Sequence, residues 1–122
     1  MKPSSNNTVK IGNVRFVLEY RSSKWNRGAV IRVLVDHNGH EHQALKFDPF
    51  EQDAHYHLDP DHSNIVRPIS ATDPLGWSIN IISESLTDLL SEAGYSQFSP
   101  TQQELKSAVP HIEAALANLL PK

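Results

Sequence analysis

The 122-residue chain carries 11 basic and 14 acidic side chains, seven histidines and no cysteine, for a formal net charge of −3. That length holds one domain over 1–122, the lack of cysteine excludes disulfides, thiol catalysis and thiolate metal sites, and no apolar run is long enough to span a membrane. An acidic balance argues against nonspecific DNA binding, and the polar start over 1–8 lacks a signal-like apolar stretch, so a flexible tail and a cytoplasmic protein of bacterial type are expected.

Residues 14–20 alternate, with Val14, Phe16, Leu18 and Tyr20 on one face and Arg15, Val17 and Glu19 on the other, the period of a half-buried strand. A polar loop over 21–28 with an exposed Trp25 leads to a β-rich stretch at 29–35, and His37-Asn38-Gly39 marks a hairpin. A two-residue Asn38-Gly39 turn would set Asp36 against Glu41, a like-charge contact, and Arg32 against Leu45. A three-residue loop with Gly39 left-handed pairs Asp36 with His40, Ile31 with Leu45, Ala29 with Phe47 and Val33 with Gln43. It separates an apolar face from a polar one and is the expected register. A fourth strand is expected over 53–59, where Ala54, Tyr56 and Leu58 alternate with Asp53, His55, His57 and Asp59. Pairing Phe47 with Ala54 and Leu45 with Tyr56 continues the apolar face. It places Lys46 beside His55, Ala44 beside His57 and His42 beside Asp59, with both His-x-His pairs on one surface. Residues 65–69 read as one more short strand or an extended connection.

Past Asp73 the apolar period changes from 2 to 3.6. Asp73 suits a helix cap and Pro74 the first helical position; Leu75, Ile79, Ile82, Leu86, Leu89 and Leu90 follow at helical spacing up to Gly94. Thr101 and Glu104 have the spacing of a capping box for a second helix, striped by Leu105, Ala108, Val109, Ile112, Leu116 and Leu119, which Pro110 should kink or split. The expected fold is α+β: an antiparallel meander of about four strands, then two C-terminal helices packed on one face. Leu45, Phe47, Tyr56, Ile79, Ile82 and Leu86 are the expected core.

Six of the seven histidines, His37, His40, His42, His55, His57 and His62, fall in one segment, as do seven of the fourteen acidic residues against a single base, Lys46. Imidazoles and carboxylates are the groups that bind metals and move protons near neutral pH. Two imidazoles at i and i+2 on a strand point to the same side about 7 Å apart, so a metal would also draw on neighbouring strands. In the expected register His42, His55, His57 and Asp59 are the candidate ligands for a divalent transition metal such as zinc. His55 and His57 are also candidate catalytic acid and base, with Arg32 and Lys46 to hold a developing phosphate charge, a set that suits RNA cleavage. No zinc-ligand spacing of a known kind is present, Asp48, Glu51 and Asp53 lack the pattern of a calcium loop and read as a solvated turn, and His111 reads as solvent-facing.

The stretch over 44–60, Ala-Leu-Lys-Phe-Asp-Pro-Phe-Glu-Gln-Asp-Ala-His-Tyr-His-Leu-Asp-Pro, followed by Asp73-Pro74-Leu75-Gly76-Trp77, resembles an uncharacterised family of small bacterial proteins. The layout also resembles, more loosely, the TumE-type toxins of toxin–antitoxin pairs: a short meander, an aromatic-Asp strand end, a histidine-rich strand, then a helix. That likeness implies RNA as a partner, although the toxin pattern is more basic than the acidic segment here. The leading expectation is a non-enzymatic interaction or homodimerising domain with a His/Asp-rich sheet face, since Val30 and Leu34 share that face and a second copy or a small protein partner would cover them. The alternative is a ribonuclease-like toxin or metal-binding hydrolase using the same face.

Overall fold

The computed structural model describes residues 7–121. Six strands form one antiparallel meander in which each pairs only with its neighbours in the chain: β1 (Thr8–Ile11), β2 (Val14–Ser22), β3 (Arg27–His37), β4 (His40–Asp48), β5 (His55–Leu58) and β6 (Ile65–Pro68). Two helices follow, α1 (Pro74–Ala93) and α2 (Gln102–Leu119), joined through a short 3-10 turn at Ser96–Phe98. The sheet is thus two strands wider than expected. β1 was hidden in the polar start: of the expected 1–8 tail, 1–6 lies outside the described residues, and Thr8 already pairs with Val17. The short stretch after residue 64 is a true strand, β6, and the polar loop between β2 and β3 shrinks as both strands extend toward Trp25.

The helices lie on one face, α1 over β4 and β5 and α2 over β1 and β2. Val14, Phe16, Leu18, Ile31, Val33, Val35, Leu45, Phe47, Tyr56 and Leu58 meet Ile82, Leu86, Leu90, Leu105 and Ile112 there. Ile79 packs at the margin of this core, half-buried. Both helix starts form as the residue types require: Asp73 accepts the Gly76 N–H, and Thr101 with Glu104 closes a capping box. Gly94 ends α1 in the left-handed region at φ 95°. Pro110 does not split α2, which runs unbroken through it with the proline ring exposed.

The β3–β4 hairpin uses the two-residue turn. His37 pairs with His40 and Asp36 with Glu41, and Asn38 and Gly39 both have positive φ, the type I′ geometry. Two features overturn the expected three-residue loop. The Asp36–Glu41 repulsion is relieved because Asp36 accepts the Gly39 N–H at 2.9 Å and Glu41 makes a two-pronged ion pair with Arg15 of β2 at 2.6 and 2.7 Å. A bulge then resets the register. Leu34 pairs with Gln43 and Val33 with Leu45, leaving Ala44 as the extra residue, so Ile31 meets Phe47 instead of Leu45 and Arg32 meets Lys46. Between β4 and β5 the pairs are Leu45–Leu58, Lys46–His57, Phe47–Tyr56 and Asp48–His55, two residues from the expected alignment. The side-chain alternation survives a two-residue shift, but every cross-strand neighbour changes.

Candidate metal centre

The bulge separates the two His-x-His pairs. His42 lies opposite Val35 and therefore on the helix-covered face, whereas His55 and His57 lie on the open face beside Asp48 and Lys46. The expectation that both pairs share one surface is corrected: a bulge between Leu34–Gln43 and Val33–Leu45 inverts the alternation of β4 on its turn side.

On the open face His55 Nε2 and His57 Nε2 each approach the same oxygen, Asp48 Oδ2, at 3.1 Å. Lys46 Nζ stands 3.6 Å from that oxygen. The two imidazole rings lean together to 4.9 Å between centroids, closer than neighbouring side chains of a flat strand. Asp48 is only 2 % exposed. Its other oxygen, Oδ1, is buried and has no hydrogen-bond partner among the described residues. Asp48 is thus the central residue of the cluster, not part of a solvated turn, while Glu51 and Asp53 are exposed as expected.

Each ring is oriented from behind. His55 Nδ1 donates to the Asp53 carbonyl at 2.7 Å, and His57 Nδ1 donates to Asn64 Oδ1 at 2.8 Å. Carbonyl oxygens only accept, so both Nδ1 atoms carry hydrogen, and in the neutral ring Nε2 then holds a lone pair. Two lone pairs facing a carboxylate oxygen at 3.1 Å repel unless a proton or a cation lies between them. A second imidazole nitrogen donating to a carbonyl is also how metal-binding histidines are held. The loop between Asp48 and β5 is clamped by the β2–β3 loop: Asn26 Nδ2 donates to the Gln52 carbonyl at 2.7 Å, and Asn26 Oδ1 accepts the Gln52 N–H at 3.0 Å. Gly28 lets this loop close, since a β-carbon there would lie 2.9 Å from Phe50 Cα.

The remaining expected site residues lie elsewhere. Arg32 neighbours Lys46 in the register, but its guanidinium donates to Gln43 Oε1 at 2.7 Å and to Glu19 Oε1 at 3.4 Å. Asp59 faces the helices, where Oδ1 accepts the Tyr95 hydroxyl at 2.8 Å and His62 Nδ1 at 3.0 Å, and Oδ2 accepts the Ser63 N–H at 3.2 Å. Burial opposes the charge on Asp59, but these bonds outweigh it and hold the carboxyl below its ordinary value. Burial, the bond to Asp59 and the charges of Asp59 and Asp61 push Tyr95 up to about 12. The His42 and Tyr95 rings lie tilted to one another with centroids 6.4 Å apart, and with His37, His62 and Phe98 they line a separate cleft of about 270 Å³. The four expected ligands therefore divide into His55 and His57 on one face and His42 and Asp59 on the other.

Asp48, His55 and His57 place three ligand atoms within 4.8 Å of one another. Adjacent donors of a tetrahedral zinc shell with bonds of about 2.0–2.1 Å lie about 3.3 Å apart, close to the 3.1 Å from each imidazole to the carboxylate. Two imidazoles and a carboxylate suit zinc, iron(II), cobalt or nickel. Sequence reasoning missed Asp48 because it paired Phe47 with Ala54; pairing Phe47 with Tyr56, aromatic on aromatic, would have set Asp48 opposite His55.

Among the described residues no helix is long and apolar enough to cross a membrane. No curated protein and no solved structure matches the chain. Residues 8–116, from the first strand to the last turns of α2, match the profile of a domain of unknown function, and the chain belongs to that family, DUF7700.

Proposed function

We propose that this is a transition-metal-binding domain whose centre is Asp48, His55 and His57 on the open face of the sheet. The observation that carries the reading is the pair of imidazoles, each with Nδ1 donating to a carbonyl oxygen and Nε2 aimed at one buried carboxylate. Three protein donors are the complement of metal sites that keep a position for water or substrate, whereas structural zinc sites use four. A metal there lowers the pKa of its bound water toward neutrality, so the arrangement supports a hydrolase as readily as a binding protein. Metal binding leads over ribonuclease-like chemistry because Arg32, expected to hold a developing phosphate charge, donates instead to Glu19 and Gln43.

Calorimetric titration of the full chain with zinc tests the proposal. One zinc per chain is expected, with affinity weakened at least about 100-fold by Asp48→Asn or by the double change His55→Ala, His57→Ala, and an unchanged far-ultraviolet circular dichroism spectrum. Equal zinc affinity in wild type and variants would overturn it.

A second reading, self-association, rests on β6. This strand ends the sheet, and its Ile65 and Val66 are 45 % and 51 % exposed. An apolar edge strand invites pairing with another chain, so Val66→Lys should lower the mass seen by sedimentation equilibrium if copies join there; an unchanged mass would remove that interface.

A further inference from the structure

The proposed metal centre has an excess of positive charge that points to its ligand. Asp48 is the one carboxylate at the centre. A divalent metal and the Lys46 ammonium, 3.6 Å from Asp48 Oδ2, would together bring three positive charges against it. Lys46 is ion-paired with no other carboxylate among the described residues. Once Asp48 gives its lone pairs to a metal, the ammonium is left beside a dication in a half-buried place, where charges act more strongly than in water. A protonated amine cannot ligate the metal, but it can donate to whatever occupies the remaining coordination position. Arg32, the other cation of the row, is held by Glu19 and Gln43, so Lys46 is the free donor. The surrounding wall is apolar: Val66 lies beside His57, Pro68 beside His55, and the Phe50 ring meets His55 edge-on at 6.4 Å. Neutral ligands would leave the charge uncompensated.

We infer that the centre takes an oxyanion, a phosphate or carboxylate group, with one oxygen on the metal and another accepting from Lys46 Nζ. This rests on the metal-binding reading of Asp48, His55 and His57. It also assigns Lys46 two opposed effects, since the same ammonium repels the incoming metal and attracts the anion. A merely structural lysine would not move the two affinities in opposite directions.

The test uses cobalt(II) in the full chain, followed by its visible absorption, with inorganic phosphate and acetate titrated separately at constant ionic strength. In wild type each effective anion should shift the cobalt bands saturably. Lys46→Met should bind cobalt more tightly yet bind the anion at least about tenfold more weakly, and Lys46→Arg should restore anion binding. A response to phosphate alone assigns a phosphate ligand and a response to acetate alone a carboxylate. If cobalt binds but neither anion moves the bands, or if Lys46→Met responds as wild type does, the oxyanion inference falls and the metal centre stands. If no cobalt bands form, the metal reading falls and this inference with it.

Discussion

Asp53 and Asn64, on either side of β5, share an uncommon backbone and a common task. Both have left-handed φ, 54° and 47°, a conformation that short polar side chains tolerate best after glycine. Each also supplies the oxygen that receives an imidazole Nδ1–H. Asn64→Gly keeps the backbone allowed and removes the acceptor from His57. Zinc affinity should fall by about 10–100-fold, the usual cost of losing such a partner, while the melting temperature of the metal-free chain changes little; an affinity equal to wild type would show that Asn64 does not orient the ring. On the helix side, Tyr95 and Asp59 form the second polar pair. The phenol is raised to about 12, so the stability it lends is full below the ordinary value of 10 and is lost as pH rises through about 12. The Asp59 carboxyl is lowered, so its share is present above 3.8 and lost as pH falls through its lower folded value. Ultraviolet titration should show a tyrosine ionisation near pH 12 that is absent in Tyr95→Phe. At this scale the candidate residues were half legible. His55, His57 and Lys46 could be named from their place in the histidine-rich segment and its strand alternation, but Asp48, which unites them, depends on the exact strand register.

The β3–β4 hairpin shows why that register was hard to read. The like-charge pair Asp36–Glu41 argues against the turn that forms, and its relief comes from Arg15 on another strand, 26 residues away. Long-range ion pairs have no local pattern. Nor does a bulge at Ala44, which moves His42 to the opposite face without any glycine or proline to announce it. The Arg15 bond holds the Glu41 carboxyl below its ordinary value, although an exposed pair of this kind adds only about 0.2–1 kcal/mol. Helices were read more reliably because their signals are local: Asp73-Pro74, the Thr101–Glu104 box and Gly94 all sit where the structure uses them. Leu86 faces the sheet from the middle of α1 and is fully buried. Leu86→Ala should therefore cost about 2–5 kcal/mol, read as a lower denaturant midpoint at unchanged slope; an unchanged midpoint would mean that α1 does not carry the core as described.

For the molecule as a whole, a wide meander covered on one side by helices leaves a second face of six strands, where Arg15, Glu19, Arg32, Lys46, His55 and His57 mix with Val17, Leu34, Val66 and the fully buried Val30. The acidic, histidine-rich segment over 36–62 supplies both faces, with the half-buried Asp59–Tyr95 pair on the helix side and the Asp48 cluster on the other. The α+β class and one-sided helix packing were legible from the change of period; the sheet's full width was not, since β1 and β6 are four-residue edge strands with too few residues to show a period. Whether a metal binds on Asp48, His55 and His57 is read by zinc-edge X-ray absorption on the full chain with one equivalent of zinc. Scattering from two imidazoles at about 2.0–2.1 Å is expected, with the rest of the shell made of oxygen at about 2.0–2.2 Å. A shell without imidazole, or with three or more imidazoles drawn from the His37, His42 and His62 cleft, would contradict it.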